Sequence, residues 1–164
     1  MLEHVTLRRA IELAITTEEL GSDFYQHLED KFKDNKELKD VFGQLAKDEK
    51  THEAQFKKLL EKAPTDDKHE EHYESYQYLR ATSISEFFSG DGFKDMEKIE
   101  ERDVALGKAL AFEKSTLQYY KAMEEILGEE PLLKEIIAAE RRHVVAIMKV
   151  ITTGAKFRGT EYDW

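Results

Sequence analysis

Two segments of the chain carry the same short pattern, a glutamate followed three residues later by a histidine. The first segment pairs Glu49 with His52, and the second pairs Glu140 with His143. Residues three apart on a helix point the same way, so each pair would bring one carboxylate and one imidazole to one place. In a chain this rich in glutamate a single such pair is expected about once by chance, so one alone is a weak signal. Its repetition is what indicates a site.

The pattern belongs to an internal repeat. Sliding the chain on itself places Glu18 on Glu113 and Tyr25 on Tyr120, and a slightly shorter shift superposes the two Glu-x-x-His segments. Glu19 competes with Glu18 for the matching position. Glu18 is favoured because the repeat aligns it with Glu113 and because each stands two helical turns before a tyrosine. The chain is thus interpreted as a duplicated helical hairpin.

Four long segments have the apolar spacing of amphipathic helices. They cover about 3–31, 35–62, 103–127 and 130–153. The connection 64–102 is rich in acidic and turn-forming residues, and within it we expect short helical pieces over 83–88 and 94–101. The pattern predicts an all-α protein, one domain over 1–164, in which two helical hairpins joined by a long crossover form a four-helix bundle.

The repeated glutamates and histidines fall inside the apolar stripes, so the bundle would bury them. Buried ionised carboxylates cost several kcal/mol each and repel one another unless cations lie among them. Two divalent ions would neutralise four glutamates, and a site of carboxylates with one imidazole per metal suits iron or manganese, while zinc would bind by affinity. The alternative to metal binding is that each Glu-x-x-His forms an ion pair on a solvated helix face. The apolar residues around each pair disfavour this alternative.

Composition narrows the class of protein further. The chain has 164 residues, a formal net charge of -10 and no cysteine. The negative charge disfavours nucleic acid and anionic membranes as partners, and the lack of cysteine leaves oxygen and imidazole as metal ligands. No apolar run approaches the ~18–20 residues of a membrane span, and no signal peptide is visible at the start. We therefore expect a cytoplasmic protein.

With these motifs the chain resembles the ferritin-like di-iron carboxylate superfamily, and within it rubrerythrin-like proteins that lack the rubredoxin domain. The resemblance implies a centre of two iron ions in which Glu49 and Glu140 bridge both metals. It further implies one terminal pair of ligands for each ion: Glu18 with His52, and Glu113 with His143. Tyr25 and Tyr120 would lie beside the site as catalytic residues, bonded to ligand carboxylates, although plain core aromatics are an equal alternative.

The resemblance also implies a function. We expect a di-iron oxidoreductase that reduces peroxide or dioxygen, with a role in oxidative stress, and that forms a homodimer. Because the chain has no cysteine, its electrons would come from a separate donor such as a rubredoxin-type protein. Thr116 stands where many relatives carry a further glutamate, which puts their ligand exchange in doubt. The alternatives are a ferritin-like ferroxidase that handles iron and a non-catalytic metal-binding bundle.

Overall fold

The computed structural model describes residues 6–65, 73–82 and 93–153. In these ranges the chain forms five α-helices, a short 3-10 helix at Met96–Lys98 and no strand. The α-helices are α1 (Leu7–Lys31), α2 (Lys36–Lys62), α3 (Tyr73–Thr82), α4 (Arg102–Leu127) and α5 (Pro131–Thr153). The all-α bundle predicted from the sequence is confirmed. No helix in the described ranges is both long and apolar enough to cross a membrane.

Local sequence signals explain where the long helices begin and end. The side chain of Thr6 caps α1, and the side chain of Asn35 accepts a hydrogen bond from the backbone N–H of Leu38 at the start of α2. Helix α4 ends at Gly128, whose positive φ of 67° favours glycine, and Pro131 opens α5. The turns between α1 and α2 and between α4 and α5 are therefore short, so each pair forms an antiparallel hairpin.

The hairpins pack so that a polar layer lies between two apolar ones. Helix α1 packs along α2, α4 packs along α5, and α2 also contacts α5. One apolar cluster includes Phe42 and Phe112, and the other includes Phe56 and Tyr119. On each long helix the predicted metal ligands lie between the segments that enter these two clusters. The site thus occupies the middle of the bundle.

The crossover differs from its prediction. Helix α3 occupies residues 73–82, where no helix was predicted, and the piece expected at 94–101 is reduced to the 3-10 turn. The piece at 83–88 lies outside the described residues. Leu79 is the one fully buried side chain described on α3, and it joins the apolar cluster that contains Tyr119. A ten-residue helix that buries one described side chain carries too short an apolar pattern to be distinguished from a loop in the sequence.

The start of α1 also differs from the expected residue 3. Thr6 has an extended conformation and accepts a hydrogen bond from the backbone N–H of Arg9, so the helix begins only at Leu7. Residues 3–5 of the predicted helix lie outside the described residues. The other ends of the long helices fall within a residue or so of their predicted positions, because caps and turn residues mark them.

Candidate metal centre

The structure brings the six predicted ligands together in the middle of the bundle. All are buried: the four glutamates have no exposed surface, and the two histidines are 3% and 4% exposed. Their ligand atoms form two groups, each with members within 4.8 Å of one another. The first group is Glu18, Glu49, His52 and Glu140, and the second is Glu49, Glu113, Glu140 and His143. Glu49 and Glu140 belong to both groups. Glu19, the alternative to Glu18, is exposed.

Each histidine turns the same ring nitrogen toward the carboxylates. Nδ1 of His52 lies 2.8 Å from Oε1 of Glu140 and 3.5 Å from Oε2 of Glu18. Nδ1 of His143 lies 3.2 Å from Oε2 of Glu113. The two rings are stacked, with centroids 5.4 Å apart. The two halves therefore present equivalent ligand atoms to one central space.

Several atoms that face this space make no hydrogen bond of adequate geometry to any described part of the chain, although Nδ1 of His52 and Oε1 of Glu140 lie only 2.8 Å apart. They are Oε2 of Glu18, both carboxylate oxygens of Glu49, Nδ1 of His52 and Oε1 of Glu140. A buried polar atom without a partner costs about 1–3 kcal/mol, and more when it is charged. Metal ions would satisfy such converging lone pairs, so the residues present fit a pair of divalent cations. That these six residues bind metal stays a prediction.

The pKa values of the cluster without metal also indicate that its negative charge needs a cationic partner. Burial, together with the charge of Glu18, raises the pKa of Glu49 well above its ordinary value. Burial and the neighbouring Glu140 raise the pKa of Glu113 to about 8. Burial alone would lower the pKa of His52, but the carboxylates of Glu140 and Glu18 outweigh it and raise that pKa to about 10. The metal-free site thus retains protons where cations would otherwise balance its charge.

Each of the two tyrosines donates a hydrogen bond to a glutamate of the other hairpin. The hydroxyl of Tyr25 on α1 donates to Oε1 of Glu113 on α4, and the hydroxyl of Tyr120 on α4 donates to Oε1 of Glu18 on α1. Burial raises the pKa of both hydroxyls well above the ordinary tyrosine value, so both remain protonated donors. The expected position beside the site is observed, and a catalytic role for either tyrosine stays a prediction.

Two further contacts at the site were not predicted from the sequence. The hydroxyl of Thr116 lies 3.1 Å from Oε2 of Glu140, and Oδ2 of Asp48 lies 3.1 Å from Nε2 of His143. In the sequence, Thr116 stands out only because it replaces the glutamate of the related pattern. Asp48 directly precedes Glu49, yet an aspartate on a partly exposed helix face gives no signal of a partner on another helix.

A cleft between α2 and α5 leads from the surface to the cluster. Its volume is about 520 Å³, and both His52 and His143 contribute to its lining. Small side chains on α5, those of Ala138, Ala139 and Ala146, line much of the same cleft. The cleft therefore lies against the imidazole side of the cluster.

A bundle of two helical hairpins with four glutamates and two histidines between its apolar layers defines a ferritin-like protein whose site fits two metal ions. The family model described as Rubrerythrin matches residues 10–102, which is more than half of the chain, and the chain belongs to the rubrerythrin family. The match spans the first hairpin, with Glu18, Glu49 and His52, and the crossover. No curated protein and no solved structure matches the chain.

Proposed function

We propose that the protein is a di-iron oxidoreductase that reduces hydrogen peroxide or dioxygen with electrons from a separate donor. The observation that carries the proposal is the sharing of Glu49 and Glu140 between two buried ligand groups. This arrangement suits a pair of adjacent metal ions rather than a single one. Membership of the rubrerythrin family supports iron as the metal.

The chain's own residues would do five things for such a centre. Glu49 and Glu140 would bridge the ions, and the remaining glutamates and the histidines would complete one ion each. The bound pair would supply reversible electron transfer to a small oxidant. The four carboxylates would offset the charge of two divalent ions, the tyrosine hydroxyls would hold Glu18 and Glu113 in place, and burial would exclude bulk water.

The source of electrons and the oligomeric state belong to the same proposal. The chain contains no cysteine, so no cysteine-ligated iron centre can form within these residues. A separate donor, such as a rubredoxin-type protein, would therefore reduce the site after each oxidation. We also propose that the protein acts as a homodimer, which sedimentation or size-exclusion measurements of the purified chain would test.

One observation favours a second candidate, a ferroxidase that oxidises Fe(II) and passes it on. The hydroxyl of Thr116 lies within hydrogen-bond distance of the shared Glu140, at the position where many relatives carry another glutamate. A hydroxyl that holds a bridging carboxylate does not offer the further carboxylate ligand associated with peroxide reduction. Dioxygen or Fe(II) chemistry would depend less on that ligand.

The test is to add Fe(II) to the metal-free protein under anaerobic conditions and to measure bound iron per chain. Peroxide or dioxygen is then added in stoichiometric amount, and the near-ultraviolet absorption of the oxidised centre is followed. Repeated oxidation and re-reduction with two irons retained would support the oxidoreductase. Oxidation followed by release of iron would support the ferroxidase. A chain that binds no iron would contradict both.

A further inference from the structure

The two histidines of the site differ in what lies behind them. Nε2 of His143 lies 3.1 Å from Oδ2 of Asp48, and the side-chain amide of Gln44 donates to the other carboxylate oxygen of Asp48 at 2.9 Å. Because Nδ1 of His143 faces the ligand carboxylates, Nε2–H is the group that donates to Asp48. An aspartate in this position fixes the imidazole tautomer, orients the ring and raises its basicity as a metal ligand.

The other half of the repeat lacks this aspartate. The shift that superposes Glu49 and His52 on Glu140 and His143 places Ala139 at the position of Asp48. Ala139 lines the cleft together with His52. Among the described residues, the carboxylates that pair with His52 all approach Nδ1, and none pairs with Nε2.

The two positions that differ, Asp48 and Ala139, lie on the side of the cluster that faces the cleft. Asp48 and Ala139 are both partly exposed, and both line the cleft between α2 and α5. The side chain of Asp48 is 36% exposed, so it reaches His143 from the cleft wall rather than from the core. At the cleft, Nε2 of His143 is therefore paired with a carboxylate, and Nε2 of His52 is not paired with one among the described residues.

We propose that Asp48 is a positioning residue that makes the two metal positions unequal. The position at Glu113 and His143 holds its ion more tightly, and the position at Glu18 and His52 is the exchangeable one. Loss of such a supporting carboxylate typically lowers metal affinity by roughly 10–100-fold, which sets the expected ratio between the two positions. The inference rests on the proposed two-metal site.

The test is a titration of the metal-free full chain with Co(II), followed by calorimetry and by visible absorption. The wild type is expected to bind two ions in separate steps, with dissociation constants that differ by roughly 10–100-fold. Glu18→Gln should remove the weaker step, and Glu113→Gln should remove the tighter one. Two equal steps, or loss of the tighter step in Glu18→Gln, would overturn the inference while leaving the two-metal site intact. Absence of Co(II) binding would instead overturn the proposed function as well.

The alanine and the aspartate can also be exchanged. Asp48→Ala should weaken the tighter step, and Ala139→Asp should strengthen the weaker one, so that either change brings the two constants together. The double variant should reverse the order, so that Glu18→Gln then removes the tighter step. Because these side chains are partly exposed, the variants should fold, which circular dichroism would verify.

A matched control separates positioning from simple attraction of cations. Ala138→Asp adds the same charge to the same cleft, at a position that the repeat aligns with Lys47 rather than with Asp48. The two binding steps should remain as separate as in the wild type, and the visible spectrum of the weaker site should not change. If Ala138→Asp acts as Ala139→Asp does, the inference is wrong.

Discussion

Replacing Glu49 by glutamine is expected to abolish the stabilisation that metal gives to the folded chain. Glu49 is fully buried, belongs to both ligand groups and makes no hydrogen bond through either oxygen to the described part of the chain. Glutamine keeps the size of the side chain but removes its charge and one acceptor oxygen. The variant therefore tests ligation without creating a cavity.

The size of the effect follows from the number of metal positions that each glutamate serves. A ligand at about 1,000 times its dissociation constant stabilises a folded chain by about 4 kcal/mol, so two ions contribute about 8 kcal/mol. Glu49→Gln should lose the contribution of both ions, and Glu18→Gln that of one. At roughly 2–4 °C per kcal/mol for a chain of this size, metal should raise the wild-type Tm by roughly 16–32 °C. The rise should be somewhat more than half as large for Glu18→Gln, which keeps the tighter position, and close to zero for Glu49→Gln.

The metal-free variant should behave in the opposite way. Burial and the neighbouring carboxylates raise the pKa of Glu49, so its ionisation destabilises the metal-free fold as the pH rises. Glutamine cannot ionise. Metal-free Glu49→Gln should therefore melt at or above the temperature of the metal-free wild type, and the difference should grow toward alkaline pH.

The assay is thermal melting by circular dichroism with and without excess Mn(II), with Glu53→Gln as the matched control. Glu53 lies one turn further along α2 and is paired with Lys50 and Lys57 at 3.1 and 2.7 Å, outside both ligand groups. Its variant should keep the full metal-dependent shift. The reasoning is refuted if Glu49→Gln retains that shift, or if Glu53→Gln loses as much of it.

Three further outcomes are expected. The pKa of Glu113 is raised to about 8 in the metal-free fold. Its contribution to stability is therefore present below its unfolded pKa and is lost as the pH rises through about 8. The Tm of the metal-free chain, measured against pH, should fall over this interval. A Cβ at Gly21 would lie 2.7 Å from Cζ of Phe112, so Gly21→Ala should lower the free energy of unfolding by about 1–3 kcal/mol in urea titrations, whereas Gly107→Ala, with open space around it, should raise it by up to about 1 kcal/mol. Tyr120→Phe leaves a ligand carboxylate oxygen without its donor, and we expect metal affinity at one position to fall by roughly 10–100-fold in the Co(II) titration, with no change in helical content.

The long helices could be predicted from the sequence because their signals are local. Apolar residues at helical spacing, an asparagine cap before α2, a glycine after α4 and a proline at the start of α5 are all read along one stretch of chain. Helix α3 could not be predicted in the same way. Its one described fully buried side chain, Leu79, packs into a cluster formed by other helices, and no long apolar pattern of its own marks the segment.

The candidate ligands could be predicted because charged residues interrupt the apolar stripe of each helix, and they do so at matching positions in both halves of the repeat. Charged residues inside apolar stripes need a compensating partner, and the internal repeat has the same residue types at the aligned positions of both halves. The repeat favours Glu18 over Glu19, and the structure buries Glu18 and exposes Glu19. The sequence alone thus determined the bundle, the six candidate ligands and the two adjacent tyrosines.

Only the tertiary structure decided how these residues meet. It paired each tyrosine with the glutamate of the opposite hairpin, gave Glu49 and Glu140 a place in both ligand groups, and set Asp48 beside Nε2 of His143. Such contacts join residues far apart in the chain, and they depend on the rotation and axial register of packed helices. Neither quantity is contained in the periodicity of a single helix, so the near-symmetry of the sequence does not show which side chains of one half meet those of the other.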